Sequence, residues 1–150
     1  MIEAALQQAK FKNEYQKLRV NLLHTANWLS NQMREVLRPY DITQKQYNIL
    51  KILYAEYPTS VAIQDVRCRM IDKMSDASRI IDRLVSKELI EKKPCDHDKR
   101  SNRVFLSEKG IALIEQIDQS GTSMDAILQH LSEEQAEELN ELLSLLREKG

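Results

Sequence analysis

The succession of elements in residues 75–110 restricts the fold of this 150-residue chain more than any other feature. The run SDASRIIDRLVSK sets Ala77, Ile80, Ile81 and Leu84 three and four residues apart, with Ser75, Ser78, Arg79, Asp82 and Ser86 opposite. That spacing predicts an amphipathic helix with one packed face and one open face. Ser75 is the expected N-cap, leaving the free N–H groups and positive dipole end of the helix open to a phosphate or a base edge. The next stretch, LIEKKPCDHDKRSNRVFLS, places apolar Val104 and Leu106 two apart around a polar turn at Asp96, His97 and Asp98. It predicts two short antiparallel strands, about 89–95 and 101–107. A further helix then opens at LSEKG.

Charge gives this helix and hairpin a direction. Residues 67–109 carry 12 basic and 8 acidic side chains, a net +4, whereas residues 1–66 sum to +2 and residues 110–150 to −7. The chain is −1 overall, yet its positive charge gathers on the helix and hairpin. Arg79, one turn into the helix, has the fork that matches guanine O6 and N7 or a phosphate. Lys99 and Arg100 stand at the hairpin tip, with Lys92, Lys93 and Arg103 nearby, where an arginine can enter a narrow minor groove. A polar surface helix and a solvated, lysine-bearing edge strand are the plainer readings of each element alone. Together they describe a reader of duplex DNA, with the helix for the major groove and the hairpin for the flanking backbone.

The remaining chain reads as helices. Phe11, Tyr15, Leu18, Leu22, Ala26, Leu29 and Met33 form a stripe along a helix of about 25 residues that ends near Pro39. Thr43 with Gln46 makes a capping box for a second helix through about Glu56, with Tyr47, Leu50, Leu53 and Tyr57 inward. A third, about 61–70, uses Ile63, Val66 and Met70 to support the recognition helix. After the hairpin, Ser107 caps a long helix carrying Ile111, Ile114, Ile117, Met124, Leu128 and Leu131, and Ser132 with Gln135 opens a last one through Ala136, Leu139, Leu142, Leu143 and Leu146. The expected fold class is mainly α with a small β-wing, one domain spanning 1–150. About 40–107 form a winged helix-turn-helix, and about 1–38 and 108–150 are dimerisation helices whose stripes a second copy would cover.

Residues Ser75-x-x-Ser78-Arg79-x-x-Asp82-Arg83-Leu84-x-x-Lys87-x-Leu89-Ile90, followed by Asp98-Lys99-Arg100-x-x-x-Val104-x-Leu106-Ser107-x-x-Gly110, resemble the winged helix of MarR-type transcription regulators. Ile42-Thr43-x-x-Gln46-Tyr47-x-Ile49-Leu50 and Leu131-Ser132-Glu133-Glu134 extend the resemblance over nearly the whole chain. It departs at Glu88 and at Ile71-Asp72, where glycine is usual. The resemblance implies a repressor that binds a pseudo-palindromic operator as a homodimer and is released by a small aromatic effector or by thiol oxidation. The DNA-binding set is Ser75, Asp76, Ser78, Arg79, Arg83, Lys99, Arg100 and Arg103. Asp76 either accepts from cytosine N4 or favours the helix N-terminus.

For an effector, His24, Trp28 and Tyr47 are the candidate pocket, able to stack a ring and hydrogen-bond a carboxylate, though the plainer reading makes Trp28 and Tyr47 ordinary core or interface aromatics and His24 a satisfied or exposed histidine. Cys95, near Lys93 and His97, is the candidate redox thiol, and Cys68 with Cys95 and His97 would make only a partial zinc site. No phosphate loop, nucleophile elbow or paired metal-binding histidines occur, so neither an enzyme nor a cofactor is expected. The competing class is a winged protein-interaction module that does not read DNA. No apolar run approaches a membrane span and the N-terminus lacks a signal-peptide core, so a cytoplasmic protein is expected.

Overall fold

A computed structural model describes residues 1–7, 10–94, 102–120 and 123–148. Its helix starts follow local chemistry. After a short helix α1 (Ile2–Ala5), the side chain of Asn13 accepts the Gln16 N–H at 2.8 Å and opens α2 (Glu14–Leu37). Pro39 stops α2 in a 3₁₀ turn, Arg38–Tyr40, and Asp41 behind it is left-handed (φ 53°). The capping box at Thr43 and Gln46 is present in both directions, at 3.1 and 3.0 Å, and starts α3 (Gln44–Glu56).

The third helix is shorter than its sequence pattern. Val61–Ala62 form a strand, β1, and only Ile63–Arg69 are helical, as α4. β1 pairs with β3 (Asn102–Leu106) in the register Val61↔Val104, and β3 pairs with β2 (Ile90–Pro94) in the register Ile90↔Leu106, giving the antiparallel order β1-β3-β2. Two residues are too few to show an alternation, and their partner lies some forty positions away, so periodicity carries no sign of β1. Helix α5 (Ala77–Ser86) lies between α4 and β2.

The long helix expected after Ser107 is also divided. α6 (Glu108–Gln119) stops at Ser120, whose hydroxyl donates back to the Ile117 carbonyl at 2.9 Å, an alternative to continuing the helix. A 3₁₀ turn, Asp125–Leu128, precedes α7 (Glu133–Arg147), which opens on the expected box at Ser132 and Gln135, at 3.0 and 3.2 Å.

One core joins the middle of the chain. Ile49, Leu50 and Leu53 of α3 meet Val66 and Met70, then Ala77, Ile81 and Leu84 of α5, Val104 and Leu106 of β3, and Ile114 and Ile117 of α6. Fully burying each aliphatic side chain of this size contributes about 1.5–3 kcal/mol. Tyr57, expected to face inward, is instead exposed just past the end of α3. Gly110 sets the approach of α6, because a Cβ there would stand 2.1 Å from the Leu89 carbonyl oxygen. Only a residue without a side chain lets α6 start against the chain entering β2.

Candidate nucleic-acid interface

Helix α5 divides cleanly. Ala77, Ile81 and Leu84 are buried, while Ser78, Arg79, Asp82, Arg83 and Ser86 lie on the other side and are exposed. Its cap is one residue later than the sequence suggested. Asp76, not Ser75, accepts the Arg79 N–H, at 3.2 Å, and Ser75 is buried. A carboxylate at this position satisfies a free donor and complements the positive helix end. Of the two readings of Asp76, the structure therefore supports the one that favours the helix N-terminus.

Arg79 and Arg83 lie one turn apart on the open face, and among the described residues neither guanidinium has an acidic partner. Their neighbours are engaged within the protein. Asp82 holds Lys92 of β2 at 2.6 Å, tying α5 to the hairpin. Lys87 reaches the Asp41 carbonyl and lies 3.6 Å from its carboxylate. Arg103, expected to face DNA, instead donates from Nε to the Ser60 hydroxyl at 2.9 Å and from Nη2 to the Ser60 carbonyl at 2.7 Å. It closes β1 onto β3, the strand that periodicity does not show. Lys99 and Arg100, with Cys95 and His97, lie outside the described residues.

The two ends of α5 are fixed by different means. At the C-terminal end Glu88 adopts φ 61°, the left-handed turn at which glycine is the usual residue. Its carbonyl accepts the Ser107 hydroxyl at 2.6 Å, and that same Ser107 oxygen caps α6 by accepting the Gly110 N–H at 3.0 Å. At the N-terminal end the loop from Ile71 has no left-handed residue. Asn48 of α3 accepts the Ile71 N–H at 3.0 Å, and Asp72 accepts the Met74 N–H at 3.0 Å and pairs with Lys45 at 3.2 Å. The Met74 N–H and then Lys45 hold the Asp72 carboxyl below the usual carboxylate range.

The residues considered for an effector lie on two helices, His24 and Trp28 on α2 and Tyr47 on α3. Tyr47 is buried and its hydroxyl donates to Asp118 of α6 at 3.0 Å, while Lys51 holds the other Asp118 oxygen at 2.6 Å. Burial, then the Asp118 charge, pushes the Tyr47 phenol well above its ordinary range. His24 and Trp28 both lie on α2, and Trp28 is 40% exposed. An open cavity of about 350 Å³ lies elsewhere, bordered by Glu56, Ser60, Cys68, Arg69 and Arg103. Among the described residues, no three His, Cys, Asp or Glu side chains gather as a metal site, and no helix is long and apolar enough to cross a membrane.

The flanking helices contrast with this interface. Leu37 is the only buried residue of α2, and α7 buries none. Leu139, Leu142, Leu145 and Leu146 stand exposed, and an open groove of about 940 Å³ runs along α7.

Comparison with known proteins places this arrangement. Residues 42–101 match the model of the MarR family. The HTH-type transcriptional regulator MhqR of Bacillus subtilis (strain 168) is 23% identical over 128 residues, covering 85% of this chain and 87% of that protein. The crystal structure of a cysteine-to-serine mutant of MarR from E. coli, complexed with operator DNA, is 27% identical over 93% of this chain and all of that one, with a TM-score of 0.77. The S. aureus MepR–DNA complex shares the fold, with a TM-score of 0.75 at 22% identity, over 91% of this chain and 97% of that one.

Proposed function

We propose that the chain is a transcription regulator of the MarR family, whose model matches residues 42–101, and that it binds operator DNA as a homodimer, with α5 in the major groove and the β2–β3 hairpin against the flanking backbone. The observation that carries this reading is the open face of α5. Its apolar side is sunk in the core, and Arg79 and Arg83 project without an acidic partner among the described residues. Arginines held on a rigid helix and not already paired are suited to base edges and phosphates.

The flanking helices support the homodimer. Apolar side chains on α2 and α7 lose little water within one chain, and a twofold copy is the economical cover for both. Two α5 helices about 34 Å apart would enter successive major grooves on one face of the duplex, so the site is pseudo-palindromic. The −7 charge of residues 110–150 keeps the C-terminal part of the dimer away from phosphate. Where the site overlaps a promoter, occupancy represses transcription.

The test begins with duplexes selected from a random pool by the protein itself. Arg79→Ala should weaken binding to the selected site by about 1–3 kcal/mol per half-site and relax preference at one base position. Arg100→Ala should weaken all sequences alike and flatten the salt dependence. Equal affinity of the Arg79 variant and the parent for the selected site would remove the base-reading role.

A further inference from the structure

Among the described residues, most of the exposed large apolar side chains lie on α2, on α7 or in the turn before α7, and α2 and α7 are the helices assigned above to a second copy. Ile71 and Met74 belong to neither group of helices nor to the core. They are 84% and 92% exposed, in the loop between α4 and α5. A slack loop would fold such side chains inward, because their removal from water is favourable. This loop is held from several directions. Asn48 accepts the Ile71 N–H, Asp72 accepts the Met74 N–H and pairs with Lys45, the Ser75 N–H donates to the Asp72 carbonyl at 3.3 Å, and the Lys73 ammonium donates to the Cys68 carbonyl. Met70 and Ser75, on either side, are buried. The frame therefore fixes Ile71 and Met74 in water.

Met74 also adjoins the reading surface. Ser75 and Ala77 turn inward while Asp76, Ser78 and Arg79 are exposed, so Met74 extends the open side of α5 past its cap. The residues at this end of a recognition helix are those that meet base edges. The polar groups here, Ser78 and Arg79, distinguish donors from acceptors. The one apolar group on a major-groove edge is the 5-methyl of thymine. Methionine is unbranched, polarizable and adaptable, and so suits a small curved apolar target.

We propose that Met74, with Ile71 behind it in the same pinned loop, is a specificity contact that recognises the 5-methyl group of a thymine at the leading end of α5. The inference rests on the DNA-reading role proposed above and adds the base feature that its polar residues leave unread.

The experiment uses the full chain and a duplex selected from a random pool, in which each thymine of a half-site is replaced in turn by dU, which lacks only the methyl. The parent should lose about three- to fivefold in affinity at one position per half-site, the scale of one methyl withheld from burial. Met74→Ala, exposed enough to fold normally, should bind the dT duplex more weakly by a similar factor and no longer distinguish dT from dU at that position. Met74→Leu should restore the distinction. Parent affinity in Met74→Ala, or undiminished dT over dU preference in that variant, would overturn the contact while leaving α5 as the reader. The same holds if parent and variant alike are indifferent to every dU. A parent that enriches no sequence from the pool would remove the DNA-reading role itself, and this contact with it.

Discussion

Residues 42–117 and the helices that flank them solve the same problem in opposite ways. Within the first region α3, α4, α5, the three strands and α6 bury their apolar faces in one another, from Ile42 through to Ile117. In the flanks, a 24-residue α2 buries only Leu37 and a 15-residue α7 buries nothing. Both flanking helices are amphipathic and well capped, by Asn13 and by Ser132 with Gln135. Sound capping and an apolar stripe thus make a helix without deciding where its stripe is buried. Most of the stability of a helix in a protein comes from tertiary packing, so one region is complete within a single chain, and the proposed second copy would complete the other.

Charging α7 should disturb this contrast most. Leu142→Glu with Leu146→Glu should weaken self-association by about 4 kcal/mol, as two interface anchors would. Sedimentation should then show monomers whose central region still unfolds cooperatively. Loss of that cooperative transition together with the dimer would mean that the central core is not self-sufficient. Next in size is Gly110→Ala, which puts a methyl against the Leu89 carbonyl. It should cost about 3 kcal/mol in denaturant unfolding, through overpacking at a backbone contact. The self-association of whatever folds should persist.

Smaller effects refine the picture inside the central region. Glu88→Gly relieves a left-handed residue at φ 61° and should raise the free energy of unfolding by about 1 kcal/mol, with no change in dimerisation. The smallest concerns Asp72, whose folded carboxyl is held low by the Met74 N–H and Lys45. Its contribution is complete above about pH 4, where the unfolded carboxyl is ionised, and disappears as pH falls through the lower folded value. Denaturation midpoints of the parent and Asp72→Asn should therefore differ at neutral pH and converge in acid. A constant gap would take Asp72 out of the loop's electrostatics.

Local signals were the legible ones. Both capping boxes and the stop at Pro39 depend on residues within one turn, and each lies where the spelling places it. The packed and open faces of α5 were equally readable, because period and polarity agree along the whole helix. Competing local options and distant pairings were hidden. Ser75 and Asp76 are both good caps, and only the packing that buries Ser75 gives the role to Asp76. Ile117 and Met124 stand in phase on one helix face, so the expected long helix passes over the Ser120-Gly121-Thr122-Ser123 run between them, whose residue types do signal the break at Ser120. Arg103 looks like any other cation of the hairpin until β1 brings Ser60 beside it. The exposure of Met74 depends on backbone hydrogen bonds to Asn48 and Asp72, and no pattern of hydrophobicity encodes those.

The Lys92–Asp82 ion pair, at 2.6 Å, joins the open face of α5 to strand β2. A replacement at Asp82 that altered the helix surface would also release the hairpin from its anchor, and a replacement at Lys92 would leave a bare carboxylate among the exposed side chains of α5. Changes at two such partnered positions do not combine additively. Helix and wing are thus joined at this contact, so a substitution on one side of it changes the electrostatic setting of the other.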